Sequence, residues 1–271
     1  MAQPLEHVDA AGVGGRPRPP ARAGAVSAVA PVVFGVVVLL AWELACRAGL
    51  VDPYFLPAPS DVLSRVLDDL TGPARSYLWP TLYAAGWGSL LGAAVALPLG
   101  IAIASSTLAR RVLEPYVAAS QALPAVAVAP LLALWLGYGV LPVVVLCALM
   151  VFFPMLLGTV YGLTHIDTDV IEAARLDGAG GPVLLARILL PLALPAILTG
   201  VRNGVTLSLT GAIVGEIVTG GRGLGMLLSS RGASADTVGL FSILTILCVL
   251  AAALFAAVGA LQHHLRHRQG A

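Results

Sequence analysis

Polar and ionisable side chains that could do chemistry are scarce in this 271-residue sequence, and their types exclude several reactions. All 15 basic residues are Arg, and Lys is absent. Without Lys the chain can form neither a P-loop, whose Lys reaches the terminal phosphates, nor a Schiff base. Gly-x-Ser-x-Gly, His-Glu-x-x-His and paired intramembrane aspartates are also missing, which disfavours an intramembrane enzyme. We therefore expect no catalytic residue, bound cofactor or metal site in this chain.

The main polar interruption of the C-terminal half lies at residues 164–187 and predicts a short helix in an elbow. Asp169 is placed to cap this helix, and Glu172, three residues later, to bond back to the cap amide as a capping box. Gly178 supplies a left-handed stop, and Pro182 begins the next helix. The two residues after Glu172 are alanines, whose side chains are short, so another protein can approach the helix backbone closely.

A second polar group lies in an apolar stretch that we expect to cross a membrane. Spacings of three and four residues place its members on one helix face: Thr199, Arg202, Asn203, Thr206 and Thr210. This stripe either lines a translocation path or subunit interface, or holds a helix bundle together by hydrogen bonds. For Arg202 the functional interpretation is favoured.

Glu216 follows Arg202 by fourteen residues, roughly 21 Å along a helix at about 1.5 Å per residue. That distance excludes an ion pair between them within one chain. We expect Glu216 near the outer end of the same span. There it closes a gate, contacts a binding protein, or bonds a neighbouring backbone.

The histidines and cysteines form no convincing ligand pattern. His263 and His267 have the i, i+4 spacing of metal ligands, but a solvated cationic tail is the favoured interpretation. Cys46, Cys147 and Cys248 are far apart in or beside apolar runs. We interpret them as small hydrophobic residues packed in helices.

Composition sets the class of protein that must position these residues. The chain is 58% hydrophobic and only 11% charged, whereas a soluble domain carries about 25% charged residues. Its mean hydropathy is +0.93, and its net charge is only +1. A soluble enzyme, a largely disordered chain and a nucleic-acid binder are excluded on these grounds. The sequence predicts an all-α, polytopic membrane protein.

Six transmembrane helices are predicted. The domain boundaries are a flexible cytoplasmic tail at 1–23, a membrane domain at 24–262 and a cytoplasmic tail at 263–271. The spans cover 25–42, 81–105, two stretches of 116–163 separated by a turn at 136–139, 191–218 and 240–261, the fifth being preceded by a helix that starts near Pro182.

Two further segments are expected on the outer side. A short amphipathic helix begins at Ser60, and a Gly-rich loop occupies 219–239. The helix places Val62, Leu63, Val66 and Leu70 on its apolar face, with Arg65, Asp68 and Asp69 opposite.

The distribution of Arg predicts the orientation. Nine Arg fall in the loops and tails assigned to the inside and five in those assigned to the outside, with Arg202 inside a span. The excess follows the positive-inside rule and places both termini in the cytoplasm.

The elbow carries a resemblance to a known family. Its Glu172-Ala173-Ala174, Gly178 and Ile188-x-Leu190-Pro191 resemble the EAA motif of ABC importer permeases. The Phe-Leu-Pro-Ala-Pro-Ser stretch at 55–60 and the six spans are similar to the sulfonate, taurine and nitrate permease group. The resemblance implies a type I importer permease fold and a multi-pass protein of the bacterial inner membrane.

The resemblance also implies roles and partners. The EAA loop, with Arg175 and Asp177 beside the motif, would couple to a separate ATP-binding subunit, which uses ATP-Mg. Two ATPase copies, a second permease copy as a homodimer and an extracytoplasmic substrate-binding protein would complete the assembly in the bilayer. Family members often carry several basic residues between the Gly and the Ile, whereas here only Arg187 is present. The solute would be a small anion such as a sulfonate, taurine or nitrate, although related permeases move heterocyclic vitamin precursors.

A self-contained secondary transporter or channel is the alternative. It would need coupling carboxylates within its spans, and only Glu43 and Glu216 lie near spans, both towards an end. It would also not need the EAA elbow, and no inverted repeat is evident.

Overall fold

The computed structural model describes residues 22–120 and 124–267. These residues form helices and no strand. The helices are α1 (Arg22–Arg47), α2 (Pro59–Thr71), α3 (Pro73–Ala104), α4 (Thr107–Ser120), α5 (Ala125–Leu136), α6 (Val140–Thr164), α7 (Thr168–Leu176), α8 (Gly181–Leu184), a π-helical turn (Leu185–Leu189), α9 (Leu190–Thr219), α10 (Leu224–Ala233) and α11 (Thr237–His267).

The polytopic membrane fold is confirmed. Five segments of the described chain are long and apolar enough to cross a membrane: Ala30–Arg47, Pro73–Ala104, Val140–Thr164, Gly181–Thr219 and Thr237–Ala260. The remaining apolar helix, α5, has 12 residues and is roughly 18 Å long, shorter than the hydrocarbon core of about 30 Å. The predicted third span at 116–136 is divided, because Pro124 is extended (φ −71°, ψ 122°) and α5 starts only after it.

Two compact units make up the chain, Met1–Asp52 and Pro53–Ala271. Helix α1 is the helix of the first unit, and aliphatic side chains such as Val32 and Leu40 are exposed along it. Most of the predicted N-terminal tail, residues 1–21, lies outside the described residues, as do residues 268–271 and the side chains of His263, His264 and His267.

Helix α6 is the centre of the second unit and packs most extensively against α9 and α3. Leu146, Cys147 and Val151 are fully buried on it. The three helices approach closely because glycine faces the contacts: a Cβ added at Gly158 of α6 would stand 2.9 Å from the Cα of Gly200 in α9. Small residues at such contacts are the usual means by which membrane helices associate.

The segments expected on the outer side have a different structure from the predicted one. The region predicted as a Gly-rich loop contains α10, whose Leu224 and Leu227 are buried against Val62 of α2 and Ile243 of α11. The predicted apolar face of α2 is wrong in part. Val62 and Val66 are buried, but Leu63 and Leu70 are exposed, because α2 turns its Asp69 inward instead.

Candidate functional site

Helix α7 is the short helix that the elbow predicts, but its N-terminal cap is not the predicted one. Asp167 is the cap residue, and its carboxylate accepts a hydrogen bond from the Asp169 amide at 3.0 Å. The predicted capping box of Asp169 and Glu172 is therefore wrong. Asp169 lies in the first turn instead, where a negative charge interacts favourably with the helix dipole.

The predicted stop at Gly178 is present. Its φ is +85°, in the left-handed region that favours glycine. The Gly178 amide donates to the Arg175 carbonyl at 3.0 Å, and the Ala179 amide donates to the Ala174 carbonyl at 2.9 Å. These two bonds form a Schellman motif that satisfies the last carbonyls of the helix.

No residue of α7 is buried. Glu172, Ala173 and Arg175 are exposed, and Leu176 keeps 89% of its surface accessible. Asp177, which follows α7, is also exposed. The helix thus presents its polar and small side chains, together with two large apolar side chains, Val170 and Leu176, as an exposed surface.

Both ends of α7 are attached to the long helices. Ile166, in the link from α6, packs in one apolar cluster with Leu163 of α6, Leu189 of the π-helical turn, and Ala193 of α9. The motif residue Leu190 packs against the same cluster, and its amide bonds to the Leu185 carbonyl in the π pattern. Of the other two residues of the motif in this region, Ile188 is half-buried and Pro191 is exposed.

A groove of about 820 Å³ opens between α6, α9 and α11. It brings together three members of the predicted stripe, Thr199, Asn203 and Thr206. The hydroxyl of Thr199 donates to the Pro195 carbonyl at 2.8 Å, which leaves its oxygen available as an acceptor. The other lining residues are Pro154, Leu157, Gly158, Tyr161, Ala196, Gly200, Leu207 and Phe255.

Arg202 lies beside this groove and does not line it. Its Nε donates to the Phe255 carbonyl of α11 at 3.2 Å, and its guanidinium carbon lies 3.5 Å from the centroid of the Phe255 ring. A cation over an aromatic face gains about 0.5–2 kcal/mol. The guanidinium thus joins α9 to α11. Thr210 is exposed on α9 and is not among the groove-lining residues.

Glu216 is buried at the far end of α9, with 2% of its surface exposed. Its Oε2 accepts a hydrogen bond from the Gly225 amide in the first turn of α10 at 2.7 Å. Of the three arrangements expected for Glu216, the structure shows the bond to a neighbouring backbone.

A cluster of charges that the sequence did not indicate joins α2, α10 and α11. We call Arg65, Asp69, Arg231, Asp236 and Ser242 the Asp69 cluster. Asp69 is 2% exposed and accepts from the Ser242 hydroxyl at 2.7 Å and from Arg231 Nη2 at 3.2 Å. Arg231 also pairs with Asp236, which accepts from Arg65 at 3.1 Å.

Asp236 lies between α10 and α11, and opposing effects act on the pKa of its carboxyl group. Burial raises the pKa of its carboxyl, whereas the Gly239 amide and the guanidinium groups of Arg231 and Arg65 lower it, and the net pKa lies below the ordinary value. No pattern of short spacing could have revealed this cluster, because Asp69 and Arg231 are 162 residues apart.

This arrangement, a bundle of membrane helices with an exposed short helix in an elbow and a groove between its central helices, fits a membrane transport subunit. Residues 96–269 match the family described as the binding-protein-dependent transport system inner membrane component. The chain belongs to this family and is a permease component of an ABC importer, not its ATPase.

Relatives that align with most of the chain are named as permease proteins of transport systems. The chain is 37% identical to the riboflavin transport system permease protein RibX of Chloroflexus aurantiacus, covering 85% of this chain and 86% of the relative. It is 31% identical to the formylaminopyrimidine transport permease protein ThiX of Halalkalibacterium halodurans, with 88% and 95% covered. It is 30% identical to the taurine transport system permease protein TauC of Escherichia coli, with 84% and 86% covered.

A solved structure shows the same fold. A chain of the MetNI methionine ABC transporter, in an inward-facing conformation, superposes with a TM-score of 0.61 and 20% sequence identity. The superposition covers 69% of this chain and 93% of that chain. At this identity the likeness concerns the fold alone.

Proposed function

We propose that α7 docks on a separate ATPase subunit and that the groove between α6, α9 and α11 forms one wall of the path taken by the solute. A single arrangement carries this proposal. Helix α7, none of whose residues is buried, is followed and preceded by segments that pack against the cluster of Leu163, Ala193 and Ile197, which lies between α6 and α9. Displacement of α7 therefore moves the two helices that supply most of the groove.

The docking surface is acidic, because four exposed carboxylates lie in or beside α7 against one exposed cation, Arg175: Asp167, Asp169, Glu172 and Asp177. Arg187 follows only in the π-helical turn. Docking therefore combines these charges with the shape and apolar contact of the alanines and of Leu176, which is 89% exposed. Burying Leu176 in a partner groove gains about 1.5–3 kcal/mol.

Variants of Gly178 test the coupling role. In Gly178→Ala, a Cβ in the left-handed conformation costs about 1 kcal/mol and disturbs the end of α7. Gly180→Ala is the matched control, because Gly180 has φ −136° and nothing within 4 Å of an added Cβ. In proteoliposomes with the ATPase and the binding protein, Gly178→Ala should lower transport and its coupling to ATP hydrolysis, and Gly180→Ala should not. Equal transport by both variants would contradict the proposal.

Two classes of solute fit the names of the relatives, a small anion and a heterocyclic vitamin or vitamin precursor. We propose that the solute belongs to the second class. A sulfonate or taurine anion, or nitrate, is supported by the TauC relative and by the nearby Arg202. A heterocyclic vitamin or its precursor is supported by RibX and ThiX. The second is favoured by the groove, because its polar lining of Thr199, Asn203 and Thr206 is neutral and Arg202 is turned onto Phe255.

Competition in uptake assays separates the classes. Labelled riboflavin, a pyrimidine precursor, taurine, an alkanesulfonate and nitrate are offered to cells that express the complete importer. Saturable uptake of a heterocycle, unaffected by excess taurine or nitrate, supports the second class. The reverse pattern would return the assignment to the anions.

We further propose a homodimer of the permease with two ATPase copies and an extracytoplasmic binding protein, in the inner membrane with both termini cytoplasmic. The family membership supports the kinds of partner, and the Arg distribution supports the orientation. Mass measurement of the purified complex tests the copy numbers. Labelling of single cysteines from each side of the membrane tests the orientation, and a Cys placed in α7 that reacts only from the outside would overturn it.

A further inference from the structure

The first turn of α10 is capped by side chains from two other helices. Its own preceding residue, Gly223, supplies no side-chain bond. Instead the Leu224 amide donates to the Thr81 hydroxyl of α3 at 2.8 Å, and the Gly225 amide donates to Glu216 of α9 at 2.7 Å. The first amides of a helix need such partners because no intrahelical carbonyl is available to them.

Glu216 is closely packed against the beginning of α10. Glu216 is 2% exposed, and a Cβ added at Gly223 would overlap its carboxyl group. A Cβ at Gly225 would stand 3.0 Å from Glu216 Oε2 and 2.5 Å from the Ile213 carbonyl. Helix α10 can therefore approach α9 only through glycine, and it cannot slide along α9 without breaking the Glu216 bond.

Glu216 stands at the opposite end of α9 from the elbow. It follows Leu190 by 26 residues, roughly 39 Å along the helix at about 1.5 Å per residue, which exceeds a hydrocarbon core of about 30 Å. Beyond it, Arg231 of α10 binds Asp69 of α2, and Asp69 binds Ser242 of α11. One continuous series of contacts thus runs from α9 to the helices at the face opposite α7.

We propose that Glu216 is a positioning residue for transport, through which movement of α9 reaches α10 and with it α2 and α11. This proposal rests on the proposed coupling role of α7. When the elbow moves α9, the Glu216–Gly225 bond carries α10 along, so the opposite face opens and closes in step with ATP hydrolysis. Without that bond the ATPase turns over while the far face no longer follows.

The decisive measurement is the number of solute molecules moved per ATP hydrolysed, in proteoliposomes that contain the complete importer. This ratio does not depend on how much permease is folded. Glu216→Ala removes the acceptor and should lower the ratio at least fivefold while ATP hydrolysis continues. Glu216→Gln keeps an acceptor oxygen of the same reach and should retain a ratio within twofold of the parent.

Two further variants complete the test. Gly225→Ala pushes α10 away from Ile213 and should lower the ratio as Glu216→Ala does, and the double variant should lower it no further, since both act on one contact. Thr245→Ala is the matched control, because the Thr245 hydroxyl bonds only to the Phe241 carbonyl one turn earlier in α11; its ratio should stay at the parent value.

Distinct results overturn the proposal. A ratio of solute moved to ATP hydrolysed that stays at the parent value in Glu216→Ala would refute it. Equal falls of this ratio in Glu216→Gln and Glu216→Ala would also refute it, because the charge of Glu216 and not its bond to Gly225 would then matter. If Glu216→Ala does not reach the membrane, Gly225→Ala decides, and a parental ratio there would refute the link. If Gly178→Ala also keeps its coupling, the proposed function of α7 fails; if only the Glu216 and Gly225 variants keep it, the inference alone fails.

Discussion

Neutralising Asp69 is the most direct test of how the helices at the face opposite α7 are held together. In Asp69→Asn the side chain keeps its size, and its remaining oxygen can still accept from the Ser242 hydroxyl. The variant loses the charge that pairs with Arg231 at 3.2 Å. Because the side chain of Asp69 is 2% exposed and that of Arg231 is 17% exposed, water replaces this interaction poorly.

The expected loss follows from these exposures. A hydrogen bond to a charged partner in such a site is worth about 2 kcal/mol. Arg65 is 36% exposed and 3.6 Å from Asp69, so its pairing adds no more than about 0.5 kcal/mol. For a chain of this size, about 2 kcal/mol corresponds to a fall of roughly 4–8 °C in the unfolding temperature.

The assay is thermal unfolding of the purified permease in detergent or nanodiscs. Asp68→Asn is the matched control, because Asp68 is the neighbouring residue of the same type and is exposed. It should shift the unfolding temperature by no more than about 2 °C. The reasoning is refuted if both variants unfold at the same temperature, because the charge of Asp69 would then contribute nothing.

Three further predictions concern other contacts. Arg202→Gln, which removes the charge over the Phe255 ring, should lower the unfolding temperature by about 2–6 °C; a parental value would show that the ring contact is not stabilising. Ionised Asp236 should stabilise the fold fully above about pH 4, the ordinary Asp pKa, and this stabilisation should be lost as the pH falls through its lowered pKa. The unfolding temperatures of the parent and of Asp236→Asn, compared at about pH 7, 5, 3.5 and 2.5, would show this; a difference between the two proteins that already shrinks from about pH 7 to pH 5 would contradict the pKa direction. Gly158→Leu should prevent α6 from contacting α9 at Gly200 and sharply reduce the amount of folded permease recovered from membranes. Gly35→Leu is the control, because nothing lies within 4 Å of a Cβ added there, and it should not reduce the recovery. Equal recovery of the two variants would refute the close contact.

The elements that could be predicted from sequence are those whose signal is local. The apolar runs predict membrane helices because backbone groups in a bilayer must bond within the helix. Gly178 predicts the end of α7 because a left-handed residue is needed there. The sequence predicts the start of α7 two residues late, since both Asp167 and Asp169 can cap the helix and only the folded chain shows which one does.

The apolar face of α2 could not be predicted by the same means. The spacing of its apolar residues allows two orientations of the helix, one with Leu63 and Leu70 facing inward and one with Asp69 facing inward. The choice is made by Arg231 and Ser242, which come from α10 and α11, far along the chain. Likewise the helical turn of α10 is stabilised by Leu224, buried against α2 and α11, and a Gly-rich stretch alone gives no such signal.

Local sequence is sufficient to predict that this protein is embedded in a bilayer, that its membrane helices are long and apolar, and that the short polar helix α7 interrupts them. Each of these properties depends on neighbours within a few residues. Packing between helices, by contrast, establishes that Thr199, Asn203 and Thr206 line a groove, that Arg202 contacts Phe255, and that Glu216 bonds to α10. Those outcomes depend on which helix lies next to which, and that is settled by side-chain packing between segments that are distant along the chain.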